Sequence, residues 1–268
     1  MEKHLNNSYI DGEGIEKCSV CHDPLYTIIR GKQFRCKCKC EIDEYNRGIE
    51  MREKQMKEYK VAKLKKESLM ANRYSEVLFK SIRETAHNSL IREKAIHYVE
   101  NAHECLKKNI GIYLHGENST GKTHLTSAMC NELLEKGYAC LYTNLAVIMQ
   151  NTSLFEDDDD MRRKIATVDF LFIDDLGKEF IGREMNPASA KYAEKVLFET
   201  INTRYNAQLP TIFSSNYSIK ELANDLRLDA GIMERLNEMS SVVWKLTGDD
   251  WRKPSNDLNN AILKSLRI

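Results

Sequence analysis

Gly116-Glu117-Asn118-Ser119-Thr120-Gly121-Lys122-Thr123 is the stretch on which the reading of this chain turns. A glycine opens it and Gly-Lys-Thr closes it, the spacing of a phosphate-binding loop. Such a loop curls so that backbone N–H groups converge on phosphate oxygens, and Gly121 lets the backbone approach closely. Lys122 is placed to reach the β and γ phosphates, and the Thr123 hydroxyl to coordinate magnesium. Residues Gly111–His115 before the loop read as a buried strand, and Lys122–Lys136 after it as a helix. The positive end of that helix then faces the phosphates.

Downstream, Asp169-Phe170-Leu171-Phe172-Ile173-Asp174-Asp175 is an apolar strand that ends in two carboxylates. Asp174 is placed to hold magnesium through water, and Asp175 to orient and deprotonate an attacking water. Thr211-Ile212-Phe213-Ser214-Ser215-Asn216 is a further strand with a polar end. Asn216 is in reach of a γ-phosphate or the lytic water if this strand adjoins the one ending at Asp174. Strands at 139–143 and 241–246 and helices at 145–149, 188–205, 218–226 and 231–237 complete an alternating pattern. Ser218 and Glu221 have capping-box spacing at the start of one of these helices. The pattern predicts an α/β domain, a five-stranded mostly parallel sheet flanked by helices.

The N-terminal third reads differently. Cys18-Ser19-Val20-Cys21 is followed after fourteen residues by Cys36-Lys37-Cys38-Lys39-Cys40. Two such knuckles bring four thiolates to one tetrahedral zinc, and the neighbouring lysines offset its negative charge. Spacing leaves the second pair open between 36/38, 38/40 and 36/40. A head this small has too little apolar core to fold alone, so metal binding would couple to folding. From Ile42 to His87 the sequence is charged, with a thin helical stripe of Ile42, Ile49, Met56, Val61 and Leu64. The expected organisation is a zinc-binding head over residues 1–41, a helical linker or docking segment over 42–87, and a nucleotide-binding domain over 88–268. Cys105, Cys130 and Cys140 stand alone in apolar patterns and read as core thiols.

The 268 residues carry 40 basic and 40 acidic side chains, so bulk charge announces no polyelectrolyte partner. No run approaches the eighteen to twenty apolar residues that would span a membrane. The first residues, Met1 to Asn7, are not followed by an apolar signal region, so the expectation is a cytoplasmic protein with reduced cysteines.

On these residues the chain resembles bacterial and phage replicative-helicase loaders of the DnaC/DnaI type, AAA+ P-loop ATPases related to transposase-helper ATPases of the IstB type. The matching strings are His115-Gly116 to Gly121-Lys122-Thr123-His124-Leu125, Leu171-Phe172-Ile173-Asp174-Asp175-Leu176-Gly177, and Arg204-Tyr205 through Leu209-Pro210-Thr211 to Ser215-Asn216. Gly231 with Arg235-Leu236, and Gly248 with Trp251-Arg252, complete the set. The resemblance implies ATP or ADP with magnesium as ligand, held by residues 116–124 and Asp174. It implies that Asn216 is the sensor-1 residue, Arg235 the arginine finger acting on a neighbouring subunit's nucleotide, and Arg252 the sensor-2 arginine. The implied function is loading of a hexameric replicative helicase onto single-stranded DNA. ATP binding, self-association and hydrolysis would switch retention and release, with slow turnover in isolation.

Two departures from the family pattern stand out. Ser119 occupies a position where glycine is common, which adds strain if the backbone there needs a positive φ. Asp175 replaces the glutamate usual in the superfamily at large, although paired aspartates occur in the loader branch. The segment 145–167 corresponds to a helical element that lines the DNA path in loaders, which directs attention to Arg162, Arg163 and Lys164 as phosphate contacts. The rival readings are a transposase-associated helper ATPase and a zinc-dependent replication adaptor with weak ATPase.

Overall fold

The computed structural model, which describes residues 8–151, 160–182 and 184–248, separates the chain into two units, Met1–Lys60 and Val61–Ile268. In the first, β1 (Ser8–Ile10) pairs antiparallel with β2 (Glu16–Cys18), and β3 (Tyr26–Ile29) with β4 (Lys32–Arg35). A two-residue turn joins β3 to β4, with Arg30 at φ 49° and Gly31 at φ 76°. Paired positive φ values give a turn whose twist matches the strands it links. These ribbons were not foreseen, because strands of three or four residues exposed on both faces leave no apolar alternation to read. The buried cluster among the described residues of this unit is Cys18, Leu25 and Cys38, with half-buried Cys21 and Cys40 against it.

The helix α1 (Lys39–Glu67) carries the chain into the second unit. The sequence reading extended helix to residue 87; the helix ends at Glu67. The Ser68 hydroxyl donates to the Lys65 carbonyl at 2.8 Å, and Leu69 takes a left-handed φ of 58°. Beyond it the chain runs through turns and two 3-10 turns, Asn72–Tyr74 and Phe79–Ser81. Tertiary bonds fix this irregular stretch. Buried Asn131 donates from Nδ2 to the carbonyls of Tyr74 and Val77, both at 2.8 Å, and Phe79 is buried.

The remaining elements alternate. They are α2 (Ser89–Glu100), α3 (Ala102–Lys107), β5 (Ile112–His115), α4 (Lys122–Glu135), β6 (Cys140–Asn144), α5 (Leu145–Asn151), α6 (Asp160–Thr167), β7 (Phe170–Leu176), α7 (Pro187–Ala207), β8 (Thr211–Ser215), α8 (Ile219–Asn224), α9 (Ala230–Met239) and β9 (Val242–Lys245). The last five strands form one sheet in the order β6-β7-β8-β5-β9, every pair parallel. Both faces of the central strands are covered, which is why β5 and the first four residues of β7 are apolar almost throughout. On β7, Leu171 and Ile173 enter one core with residues of α5 to α9, while Phe170 and Phe172 enter the other with residues of α2 and α4. On β5, Tyr113 faces the first core, and Ile112 and Leu114 the second. That is the period-two geometry of a strand packed on both sides.

The Ser218–Glu221 capping box forms: the Glu221 N–H donates to Ser218 Oγ at 3.3 Å and the Ser218 N–H to Glu221 Oε2 at 2.6 Å. A buried arginine braces the sheet from behind. Arg204, on α7, donates to the carbonyls of Ile165, Val168, Asp169 and Pro210 and to Thr211 Oγ1. Burial holds its guanidinium down to about 9. Of the lone cysteines, Cys130 and Cys140 are buried and Cys105 is half-buried.

Candidate functional site

The strand order sets β8 between β5 and β7, so the phosphate loop after β5, the acidic pair in the last residues of β7 and Asn216 after β8 all lie at the carboxyl ends of neighbouring strands. Ligands of open parallel sheets bind at that edge. Gly116 begins the loop where β9 passes closest: a Cβ there would lie 2.0 Å from the Leu246 carbonyl oxygen, so no side chain fits. Gly121 is left-handed at φ 96° and leads directly into α4. Ser119 is left-handed too, at φ 64°, in the region a serine occupies only under strain.

Within the loop, Thr120 Oγ1 donates to the Glu117 carbonyl at 2.9 Å. The Lys122 ammonium is buried and donates to the carbonyls of Gly116 and Glu117 at 2.8 and 2.7 Å. Thr123 Oγ1 donates to Asp174 Oδ2 at 3.0 Å, joining the loop to the end of β7. A hydroxyl and a carboxylate so joined form the hard oxygen set that suits magnesium. Burial pushes the Asp174 carboxyl above its ordinary value, and the charge of Asp175 adds to this. Hydrogen bonds from Ser214 and Thr123 act in the opposite direction.

The β7 strand runs through both carboxylates to Leu176, and its register against β8 breaks between Ile173 and Leu176. The break reflects Asp175, left-handed at φ 56°, whose N–H donates to Ser214 Oγ at 3.2 Å. Asp175 Oδ2 accepts from the Lys178 ammonium at 2.5 Å. The turn carrying Asn216 is fixed from both sides: Tyr113 Oη donates to the Tyr217 carbonyl at 2.7 Å and the Tyr217 N–H to Ser215 Oγ at 3.0 Å.

A cleft of about 490 Å³ gathers these parts, with Asn118 to His124, Asp175, Lys178 and Asn216 on its walls. Sequence reasoning missed the wall formed by Arg73, Tyr74, Ser81–Arg83, Asn88 and Arg92. Up to Asn88 its backbone is irregular, so no periodic signal marked it, and Arg92 joins it from the first turn of α2. Tyr74 packs edge-on against His124, with ring centres 5.4 Å apart, and the Arg73 guanidinium lies 4.7 Å from the Tyr74 ring centre. Burial, with Arg73 nearby, holds the His124 imidazole below its ordinary value.

Arg235 is not among the residues lining this cleft. Its guanidinium lies over the rings of Phe198 and Tyr205, 5.1 and 5.9 Å from their centres, and donates to the Gly231 carbonyl. Arg252 lies outside the described residues. Arg163 and Lys164 pair with Asp160, both at 2.7 Å, and Arg162 with Glu199 at 3.3 Å.

In the N-terminal unit the sulfurs of Cys18, Cys21, Cys38 and Cys40 all lie within 4.8 Å of one another. Bonds of about 2.3 Å to a tetrahedral zinc set sulfurs roughly 3.8 Å apart, so this donor set fits the ion. Cys36 stands outside the group; its thiol donates to the Pro24 carbonyl at 3.2 Å. N–H groups of Cys21 and Val20 hold the Cys18 thiol down to about 7, whereas burial raises that of Cys38. Backbone N–H bonds to nearby carboxylates order the second knuckle, with the Lys39 N–H donating to Asp23 Oδ2 and the Cys38 N–H to Glu41 Oε2.

A family model for IstB-like ATP binding proteins matches residues 43–258. The chain is similar to the replicative helicase loader DnaI of Bacillus subtilis (strain 168), 24% identical over 274 residues, covering 95% of this chain and 84% of that protein. It is 27% identical over 167 residues to the replicative helicase loader DnaC of Escherichia coli (strain K12), covering 59% of this chain and 62% of that protein, less than two thirds of its length. Among solved structures, that of a DnaC helicase loader superposes with a TM-score of 0.54 at 20% identity, covering 66% of this chain and all (100%) of the other. The likeness to that structure is one of fold.

Proposed function

The chain belongs to the family of IstB-like ATP binding proteins, and from that premise we propose that it is an ATP-dependent loader that places a replicative helicase on single-stranded DNA. The observation that carries the choice is the extent of the match. Similarity to a helicase loader runs over 95% of the chain, whereas the IstB-like match begins at residue 43, beyond all five cysteines of the head. A transposase-helper reading leaves that head without a role.

In this proposal residues 116–124 hold the triphosphate of ATP, and Thr123 with Asp174 holds magnesium. Magnesium, when bound, neutralises charge on the β and γ phosphates. Lys122 gives up its loop carbonyls for phosphate oxygens, a stronger charge-assisted bond. Asp175 takes a proton from water as the water oxygen bonds to the γ-phosphorus, and the β–γ bridging oxygen leaves with ADP. Asn216 orients that water or the γ-phosphate. Arg235 acts on the nucleotide of a neighbouring copy, in keeping with its place outside its own cleft.

Cys18, Cys21, Cys38 and Cys40 hold zinc and so order a head that lacks an apolar core of its own. The ribbon β3–β4 then presents Ile29 and Phe34, 55% and 49% exposed and on one face of the ribbon, as the surface that docks the helicase. Arg162, Arg163 and Lys164 exchange acidic neighbours for DNA phosphates, a salt-sensitive and sequence-tolerant contact. ATP selects the state that retains the helicase, and hydrolysis releases it. The test is a reconstituted unwinding reaction with the replicative helicase of the same cell or phage on single-stranded DNA that lacks a free end. Unwinding should require this protein and ATP, and should fail with Lys122→Ala. Unwinding that is independent of the protein contradicts the proposal.

A further inference from the structure

We infer that Lys178 is a second nucleotide-sensing cation of the cleft, drawn from Asp175 to the γ-phosphate when ATP binds. The inference rests on the ATP-site reading given above and extends it to a residue that no phosphate-loop pattern contains.

The position of Lys178 is set by its neighbours. Gly177, at φ 109°, turns the chain at the end of β7, and Lys178 opens the 3-10 turn Lys178–Phe180. The Phe180 side chain is buried in the core at 1% exposure, which anchors that turn. The Lys178 backbone is thereby held, while its four-carbon stem is half-exposed and has several rotatable bonds. Its ammonium bonds Asp175 Oδ2 at 2.5 Å, and both residues line the cleft that holds Lys122, Thr123 and Asn216.

Two features separate this pair from an ordinary surface contact. First, the pair lies on the wall of the cleft that the phosphate loop and Lys122 also line. An exposed ion pair is a weak bond in water, and a triphosphate entering the same cleft concentrates far more negative charge there than one carboxylate. Second, the partner that Lys178 gives up is the carboxylate placed to activate water. While the ammonium holds Oδ2, that oxygen is engaged; when Lys178 turns to the γ-phosphate, it is released to accept from water. One motion then neutralises charge on the γ-phosphate and frees the base. ADP, which lacks the γ-phosphate, leaves the pair closed, so the contact discriminates between the two nucleotides.

The test is paired titration of the full-length, zinc-loaded protein with fluorescent ATP and ADP analogues in magnesium, together with single-turnover phosphate release. Lys178→Met should weaken ATP binding by about tenfold, the worth of one charge-assisted contact, and leave ADP binding unchanged. Its turnover should fall by about as much, and Lys178→Arg should restore both. Equal shifts for the two nucleotides, no shift, or faster turnover in Lys178→Met would overturn the inference. If the wild-type protein binds nucleotide and Lys122→Ala does not, such a result refutes the role of Lys178 alone. Absence of binding by the wild-type protein overturns the site reading and this inference together.

Discussion

Thr123 Oγ1 and Asp174 Oδ2 meet at 3.0 Å across 51 residues of sequence. That contact joins the phosphate loop to the acidic strand end and defines the corner of the cleft where phosphate, metal and water would converge. Mutation separates the two halves of the corner. Lys122→Ala should lower ATP affinity by about a hundredfold, because it removes charge-assisted bonds to phosphate. Asp175→Asn should bind ATP nearly as well and turn it over about a hundredfold more slowly, the usual worth of a general base. Nucleotide titration and phosphate release measure the two effects, and loss of binding in Asp175→Asn contradicts the assignment.

Ser119 holds a left-handed φ of 64°. Glycine adopts that conformation without the cost of about 1 kcal/mol that a side chain incurs. Ser119→Gly should therefore raise stability in chemical denaturation by about that amount. The substitution leaves Lys122, Thr123 and the N–H groups of the loop in place, so affinity should change by less than about threefold. A destabilised Ser119→Gly protein would show that the hydroxyl does more than the backbone loses.

The cysteine cluster makes a selective prediction. Cys36→Ser should retain one zinc per chain, while Cys40→Ser should lose it, as read by metal analysis after gel filtration. Chelation should unfold the head and leave the circular dichroism of the sheet domain largely intact, because the apolar cores of that domain contain none of these thiols. Zinc loss in Cys36→Ser with retention in Cys40→Ser contradicts the geometry.

Arg235 lies over Phe198 and Tyr205, outside its own chain's cleft. Arg235→Ala should bind ATP with wild-type affinity and lose the rise of specific activity with protein concentration. Mixing Lys122→Ala with Arg235→Ala should recover part of that activity, since each copy supplies what the other lacks. A mixture no more active than its components would rule out action between subunits.

Much of this architecture was legible because its chemistry is local. A phosphate loop needs a strand, a turn and a helix in sequence, and a two-sided sheet demands uninterrupted apolar strands such as 170–173. What escaped reading depends on distant partners. The cleft wall from Arg73 to Asn88 has no period of its own and is pinned by Asn131 from another element. The β7 strand continues to Leu176 only because Ser214 and Ser215 bond Asp175 and Leu176 across the sheet. Arg204 stood within a motif string, yet nothing in its neighbours announced a buried brace for four carbonyls. Spacing left Cys36 equal to Cys38 and Cys40, and folding separates it by turning its thiol to Pro24.

The central claim is a nucleotide-controlled partnership with a helicase. Native mass spectrometry of the zinc-loaded protein with the replicative helicase of the same cell or phage, in ATP, ADP or neither, tests it most directly. The account predicts a complex of defined stoichiometry that is populated with ATP, depleted with ADP, and lost when Ile29 and Phe34 are both replaced by aspartate. Absence of any complex in all three nucleotide states, with both proteins folded, would contradict it.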